Sequence, residues 1–409
     1  MPGRAEKVEY SNLPASDGQA ARLRAMSERD WVATAASLAE RFAERAAQHD
    51  REGSFPHENF AELREAGFMK LTVPRSHGGF ELPLSRFVRV QDALARGDGS
   101  TALSLNMHLI RFGAERESHL YPPEWFDELC RGAVEEGRLV NTAATEEGLG
   151  SPAGGGVPET TATPVEGGWV LEGRKTFVTL APELWYMPVL ARLDSPDGGP
   201  PDIADFMVLR DDPGIRIDET WDALGMRASG SHDLVLEGAR LGEDRFLGYR
   251  NRATPSPRGR ASGVWFALGV AATTTGVARA ARDYAVDFAR TRTPTGLRAI
   301  AEFPGVRRRI ARIDILLQRN HALIADAAAA WESGDDSGMP AADRVAVAKV
   351  DALNNAIEAV DEAMRVVGGV SLQKQRPIER YYRDVRAGLH NPPLEDRALE
   401  QLARRALDD

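Results

Sequence analysis

The chain has 409 residues, is 43% hydrophobic and 27% charged, and carries a net charge of −10. Its length exceeds a single core and suggests two or three domains, and its interspersed acidic excess argues against nucleic acid as the main partner. One cysteine, Cys130, leaves no internal disulfide and fits a reducing cytoplasm; no signal peptide, membrane-length apolar run, metal-ligand signature, Walker motif or GxGxxG is found.

Residues 1–24 read as a loosely held polar tail. From Asp30 to His49 apolar residues recur at helical spacing, through Trp31, Ala35, Leu38, Phe42 and Ala46. Pro56 opens a second helix that stops at Gly67. The run G-F-M-K-L-T-V-P-R-S-H-G-G-F reads as extended chain ending in a glycine turn. Leu84–Ala95 predicts a helix, and Ser100–Phe112 a buried one that carries His108. Pro122-Pro123 opens another. Residues 25–138 thus form an N-terminal α-helical domain.

From 139 to 247 short alternating runs such as W-V-L-E-G, F-M-V-L-R and D-L-V-L-E-G-A-R-L are separated by Gly, Pro and Asp. This pattern predicts an antiparallel β-sandwich or barrel. Residues 248–409 turn helical again, with long helices over about 262–292, 304–333 and 341–367, then 377–388 and a last one from Glu395. Gly368-Gly369 reads as a left-handed helix ending. Short connections make this an antiparallel four-helix bundle. The fold class is α+β multidomain, in the order α, β, α.

The stretch from Asn141 to Thr179 draws most of the chemistry together. Its first half sets Thr142, Thr145 and Ser151 among glycines, where backbone can approach a flat ligand. Its second half alternates as a half-buried strand and carries Phe177 and Thr179. A ring and hydroxyls beside open backbone suit a planar cofactor with a polar edge. An ordinary loop and hairpin is the alternative.

Seven segments then resemble, in order, the acyl-CoA dehydrogenase superfamily. They are G-F-M-K-L-T-V-P-R-S-H-G-G, T-E-E-G-L-G-S, G-R-K-T-F-V-T, L-G-M-R-A-S-G-S, R-T-R-T-P-T-G, V-G-G-V and Y-R-D-V-R. The resemblance spans nearly the whole chain. It implies FAD or FMN, with Thr145 and Ser151 at the edge of the isoalloxazine, Phe177 against the ring and Thr179 near N5. It further implies that Arg292 reaches the FAD pyrophosphate of a neighbouring subunit, that Gly368 and Gly369 approach the adenosine half, and that the protein is a homodimer or homotetramer.

The chain departs from that family at the residues of its chemistry. The carboxylate that would take the substrate α-proton falls on Pro392, and its alternative position falls on Trp265 or Phe266. Glu395 is a displaced candidate. Two histidines stand out instead: His390, just after Y-R-D-V-R, and His108 on the buried helix. The L-H-N-P run resembles that of flavin monooxygenases on this fold, of the dibenzothiophene monooxygenase type, which take reduced flavin from a separate reductase. A histidine suits proton transfer near neutral pH, and Ser151 could add a hydrogen bond. Met107, Trp265 and Phe266 read as walls for an apolar or aromatic small molecule. Oxygen-using monooxygenase or oxidase chemistry is therefore the leading expectation. An acyl-thioester dehydrogenase using Glu395, or a non-catalytic binding subunit, stands as the alternative.

Overall fold

The computed structural model describes residues 30–149, 156–250 and 260–408. Helix α1, Trp31–Glu52, begins where the Asp30 carboxylate accepts the Val32 and Ala33 N–H groups, both at 3.1 Å. Helix α2, His57–Ala66, follows Pro56 and ends at Gly67 with φ 84°. The next run is not extended as its composition suggests. It forms two short 3₁₀ turns, Phe68–Lys70 and Arg75–His77, which bury Phe68, Met69, Leu71 and Val73. The chain folds back on itself there, so that Phe80 and Leu82 donate to the Lys70 and Leu71 carbonyls. Gly79 permits the return, since a Cβ on it would lie 2.1 Å from the Val73 carbonyl oxygen.

Helix α3 is Leu84–Ala95, α4 is Gly99–Ser118 and α5 is Pro123–Arg131. Asp98 caps α4, accepting the Ser100 and Thr101 N–H groups at 3.3 and 3.0 Å. Almost every residue of α4 from Gly99 to Glu115 is buried.

The middle region holds strands β1 (Leu139–Val140), β2 (Thr161–Val165), β3 (Gly168–Val178), β4 (Leu184–Leu193), β5 (Asp202–Leu209), β6 (Ile215–Asp218), β7 (His232–Gly242) and β8 (Phe246–Tyr249). They form one sheet in the order β6-β7-β3-β2-β4-β5-β8, with β1 beside β4. The sheet is mixed rather than purely antiparallel. β3 is flanked by β2 and β7, so the chain must pass β2 to lay down β4, and β2 meets β4 in the parallel sense. β1 also pairs with β4 in parallel.

Helices α6 (Ala261–Thr291), α7 (Pro304–Ser333) and α8 (Ala341–Val367) form the bundle, joined by α9 (Pro377–Asp384) and α10 (Glu395–Leu407). Asn320 in α7 ties the three long helices at mid-height, donating to Thr275 Oγ1 of α6 at 3.1 Å and to the Ala352 carbonyl of α8 at 2.8 Å. Contrary to expectation, α6 is long and apolar enough to cross a membrane by length and composition. Here 83% of that stretch is buried inside protein. The end of α8 also differs: Gly368 has φ 75° and ψ −157°, outside the left-handed helical region but open only to glycine.

α6 packs on α4 by close approach of backbones. A Cβ on Gly113 of α4 would lie 2.5 Å from the Trp265 ring, and one on Gly269 of α6 would lie 2.0 Å from Asn106 Oδ1. Trp265 cannot retreat, because it is fully buried and its indole N–H donates to Glu117 at 3.0 Å. Gly113→Ala gains up to about 1 kcal/mol of helix propensity but forces an overpacking cost of about 1–3 kcal/mol. A net loss of stability in chemical denaturation is expected, and a more stable variant would show that the two helices can part.

Candidate functional site

The loop leaving β1 and the end of β3 come together at one edge of the sheet. Thr176 N–H donates to the Thr145 carbonyl at 2.8 Å, and Asn141 Nδ2 donates to the Thr179 carbonyl at 3.0 Å. Thr145, Phe177 and Thr179, far apart by role in the sequence, are thereby neighbours. The Phe177 backbone sits at φ 56°, a conformation costly for an aromatic residue. Its ring stands 62% exposed, with its edge toward Trp221 at 5.6 Å between centroids. Thr179 is buried. Its hydroxyl pairs with that of Ser231 at 2.8 Å, Ser231 pairs with Ser229 at 2.7 Å, and the Ser229 carbonyl accepts the Ser104 hydroxyl of α4 at 3.2 Å.

Beneath this edge Glu146 and Lys175 form a buried ion pair at 2.5 Å. Burial would raise the Glu146 pKa, yet hydrogen bonds from Lys175 and Thr160 hold it below its ordinary value. Burial lowers that of Lys175. The other Glu146 oxygen accepts the Glu159 N–H at 2.5 Å, so one carboxylate ties the loop to the sheet.

The remaining expected site residues fall elsewhere. His108 is not a catalytic group. It is fully buried, its Nε2–H donates to the Met69 carbonyl at 2.8 Å, and its Nδ1 accepts the Val140 N–H at 3.2 Å. A carbonyl can only accept and an N–H only donate, so these partners fix one neutral tautomer. Burial pushes its pKa down to about 4. Trp265 is likewise no substrate wall: both its exposure and its N–H are used up inside the protein. Met107 is buried in the same core, and Phe266 is half-buried against it.

His390 is exposed at the end of a 3₁₀ turn, Val385–His390. Glu395 faces α8, where its Oε1 accepts Asn354 Nδ2 at 3.1 Å. Beside it the buried Lys349 Nζ donates to the Pro393 carbonyl at 2.8 Å, and burial brings this lysine's pKa down to about 8. Gly388, just before His390, packs on Leu353 and on Thr274 of α6. Thr274 is 12 residues, or about 18 Å, along α6 from its start near Ser262. His108 bonds Met69 and Val140, Glu395 bonds Asn354, and His390 is exposed, so these three share no partner. Arg292 ends α6 and Gly368 ends α8, both exposed. Because α7 runs back between those helices, Arg292, Gly368 and Gly369 share one end of the bundle. Ser151 lies outside the described residues.

Sequence reading missed two arrangements. First, L-G-M-R-A-S and Y-R-D-V-R pack on each other: Asp384 accepts the Met226 N–H at 2.7 Å, and Arg383 forks onto Asp50 of α1 at 2.9 and 2.6 Å. Met226 and Asp384 lie 158 residues apart in the chain, and no local periodicity encodes their contact. Second, Arg111 of α4 reaches Thr142 Oγ1 at 2.9 Å and Ser262 Oγ at 3.2 Å. An arginine in an otherwise apolar helix was the signal.

A flavin ring is a flat apolar body with a polar rim, and the residues here fit one. Phe177 offers an open face, and beside it the Thr176 hydroxyl is buried without a partner. At the bundle end a Cβ on Gly368 or Gly369 would meet nothing within 4 Å, leaving a backbone cradle. An α–β–α scaffold with such an edge defines a flavin-dependent oxidoreductase. The chain matches the acyl-CoA dehydrogenase N-terminal domain over residues 27–124, the middle domain over 141–239 and the C-terminal domain over 265–389.

YdbM of Bacillus subtilis (strain 168), whose name assigns it to the acyl-CoA dehydrogenases, is 38% identical over 93% of this chain and 97% of its own. L-evernosamine nitrososynthase of Micromonospora sp. is 34% identical over 92% of this chain and 90% of its own. The structure of KijD3 with FMN and a dTDP-3-amino-4-keto sugar superposes with a TM-score of 0.79 at 31% identity, covering 97% of this chain and 95% of KijD3. This chain belongs to the acyl-CoA dehydrogenase superfamily.

Two outcomes follow from the geometry. Between pH 6.5 and 4 the unfolded chain binds a proton at His108 that the folded chain refuses. Stability therefore falls as pH falls through that window, by up to about 3 kcal/mol. The slope should flatten in His108→Gln, and denaturation midpoints measured across the window test it. Glu146→Ala strands the Lys175 charge in the interior and should cost about 3–5 kcal/mol. The double variant with Lys175→Met should recover much of that loss, and thermal melts of the three proteins would show no recovery if the pair does not act as a unit.

Proposed function

We propose that the protein is a flavin-dependent monooxygenase acting on a small molecule. One observation carries this reading: no carboxylate stands where an α-proton would be taken. By the family resemblance the usual position falls on Pro392 and the alternative on Trp265 or Phe266, of which Trp265 is sealed against Gly113 and hydrogen-bonded to Glu117. The displaced candidate Glu395 is turned toward Asn354 and Lys349 of α8. The likeness to L-evernosamine nitrososynthase at 34% identity favours this reading, whereas the likeness to YdbM favours the alternative, acyl-thioester dehydrogenation.

Bound flavin, as FAD or FMN, would supply the redox chemistry with oxygen. The protein's own groups hold and orient. Thr145 and Thr179 would present backbone and hydroxyl groups to the polar rim, and Phe177 would lie against the ring. Ser231 and Ser229 fix the Thr179 hydroxyl. Arg292, Gly368 and Gly369 suit the pyrophosphate and adenosine half of FAD contributed across a subunit contact. A homodimer or homotetramer and a separate flavin reductase complete the reading.

The test pairs two measurements on flavin-loaded protein. Saturated acyl-CoA thioesters of graded length are added without oxygen, and the flavin spectrum is followed. Separately, reduced flavin and ¹⁸O₂ are supplied with amine, sulfide and aromatic substrates, and products are weighed. No bleaching in the first and ¹⁸O in a product of the second are expected. Stoichiometric bleaching by a thioester would overturn the reading.

A further inference from the structure

Arg111 is the one strongly charged group on the face of α4 that looks toward the site. It lies seven residues, two helical turns, beyond Ser104, on the same side of the helix. Ser104 reaches the Ser229–Ser231–Thr179 chain of hydroxyls. Thr142, the partner of Arg111, stands three residues before Thr145 on the same loop. Ser262, its other partner, opens α6. The guanidinium therefore sits where helix α4, the flavin-edge loop and the start of α6 meet.

Its charge is not answered there. Thr142, Ser262 and the Tyr121 phenol that also hydrogen-bonds it are neutral, the Glu115 charge supports it only from a distance, and the Nε–H is buried with no partner. Among the described residues no carboxylate lies within ion-pair distance of it. The nearest acids are already spent. Asp205 takes a two-pronged contact from Arg250, with Nη2 to Oδ1 at 3.1 Å and Nε to Oδ2. Glu115 accepts the Tyr121 N–H at 2.6 Å and the Ser118 hydroxyl at 3.2 Å, and burial pushes its pKa up. Burial presses the Arg111 pKa below its ordinary value, Tyr121 opposes that, and the Arg250 charge adds to it. Arginine stays protonated regardless. The residue as a whole is half-buried, so its guanidinium loses part of its hydration yet stays within reach of a ligand, and an anionic group would offset that loss.

We propose that Arg111 is a substrate-binding residue that takes an anionic group, a carboxylate or a phosphate, with the Thr142 and Ser262 hydroxyls beside it. Its planar fork matches either anion in a two-pronged contact. This makes the substrate an anion rather than the purely apolar molecule that Met107 and Trp265 suggested. It rests on the flavin-edge placement of the site but not on the use of oxygen.

The test measures binding of benzoate, inorganic pyrophosphate and the neutral control benzamide to wild type, Arg111→Gln and Arg111→Lys. Each is titrated against the flavin-loaded protein, read by the flavin difference spectrum, and against the flavin-free protein, read by thermal shift. Wild type should bind benzoate or pyrophosphate about 10- to 100-fold more tightly than Arg111→Gln does. Arg111→Lys should fall between them, and benzamide should not distinguish the three proteins. Preference for benzoate identifies a carboxylate, and preference for pyrophosphate a phosphate. Equal affinity in wild type and Arg111→Gln, an equal loss for benzamide, or no anion binding in either form would overturn the proposal. Anion binding to the flavin-free protein, without any flavin spectral response, would uphold Arg111 while removing the flavin-edge reading.

Discussion

Helix α6 runs through the interior with protein on nearly every side, and its neighbours can come close only because its surface is small. Gly269 lets Asn106 of α4 lie against it, Gly276 admits the Asp92 carbonyl of α3, and Gly113 on the facing helix makes the notch for Trp265. A helix so placed has little freedom to rotate, because each notch takes one partner and interiors are packed like crystals. Its two ends then set distance. The start fixes Ser262 beside Arg111, and the far end presents Arg292. The middle is pinned through Thr275 to Asn320 and from there to α8. What lies at the two ends of the bundle is therefore held at the length of one rigid rod.

The β region shares one apolar core with this rod, and polar contacts fix its register. Asp384 holds the Met226 N–H, Arg383 clasps Asp50 and Glu379, and a Cβ on Gly225 would sit 2.5 Å from the Arg383 carbonyl. Three segments distant in sequence thus meet at α1, the 224–231 turn and α9. Burial pushes the Asp384 pKa up to about 7, the Arg380 charge opposing. Its carboxylate is spent on positioning the turn that carries Ser229 and Ser231, and through them Thr179.

Most of the element order can be read from the chain because local rules dominate it. Asp30 and Asp98 are side-chain caps, Pro304 and Pro377 are first-turn prolines, and the period of 3.6 is strong in α7 and α8. What could not be read is non-local. Residues 67–79 carry a strand-like composition, but two glycines at positive φ turn them back on themselves. The parallel contacts of β4 follow from the neighbours β3 takes, not from β4 itself. At the site, Thr145, Phe177 and Thr179 were visible as residue types and do come together. His108 was misjudged because a histidine in an apolar helix looks the same in sequence whether it faces a ligand or two backbone groups. Arg111 was overlooked because it was read as part of a helix rather than as an unmatched charge.

The titratable groups around the site divide into two kinds. His108 and the Glu146–Lys175 pair each have partners that fix one protonation state, and moving a proton would break a buried hydrogen bond. Such groups build geometry but are poor acids and bases, since catalysis by proton transfer needs a group poised near the working pH and free to exchange. Arg111 is of the other kind, permanently charged and incompletely matched. It can hold an anion but cannot move a proton. On the proposed reading, with the base positions falling on Pro392 and on Trp265 or Phe266, the protein's part would be to orient a substrate and to leave the bond-making electrons to a bound cofactor. That division of labour fits chemistry in which the protein need not abstract a proton from carbon.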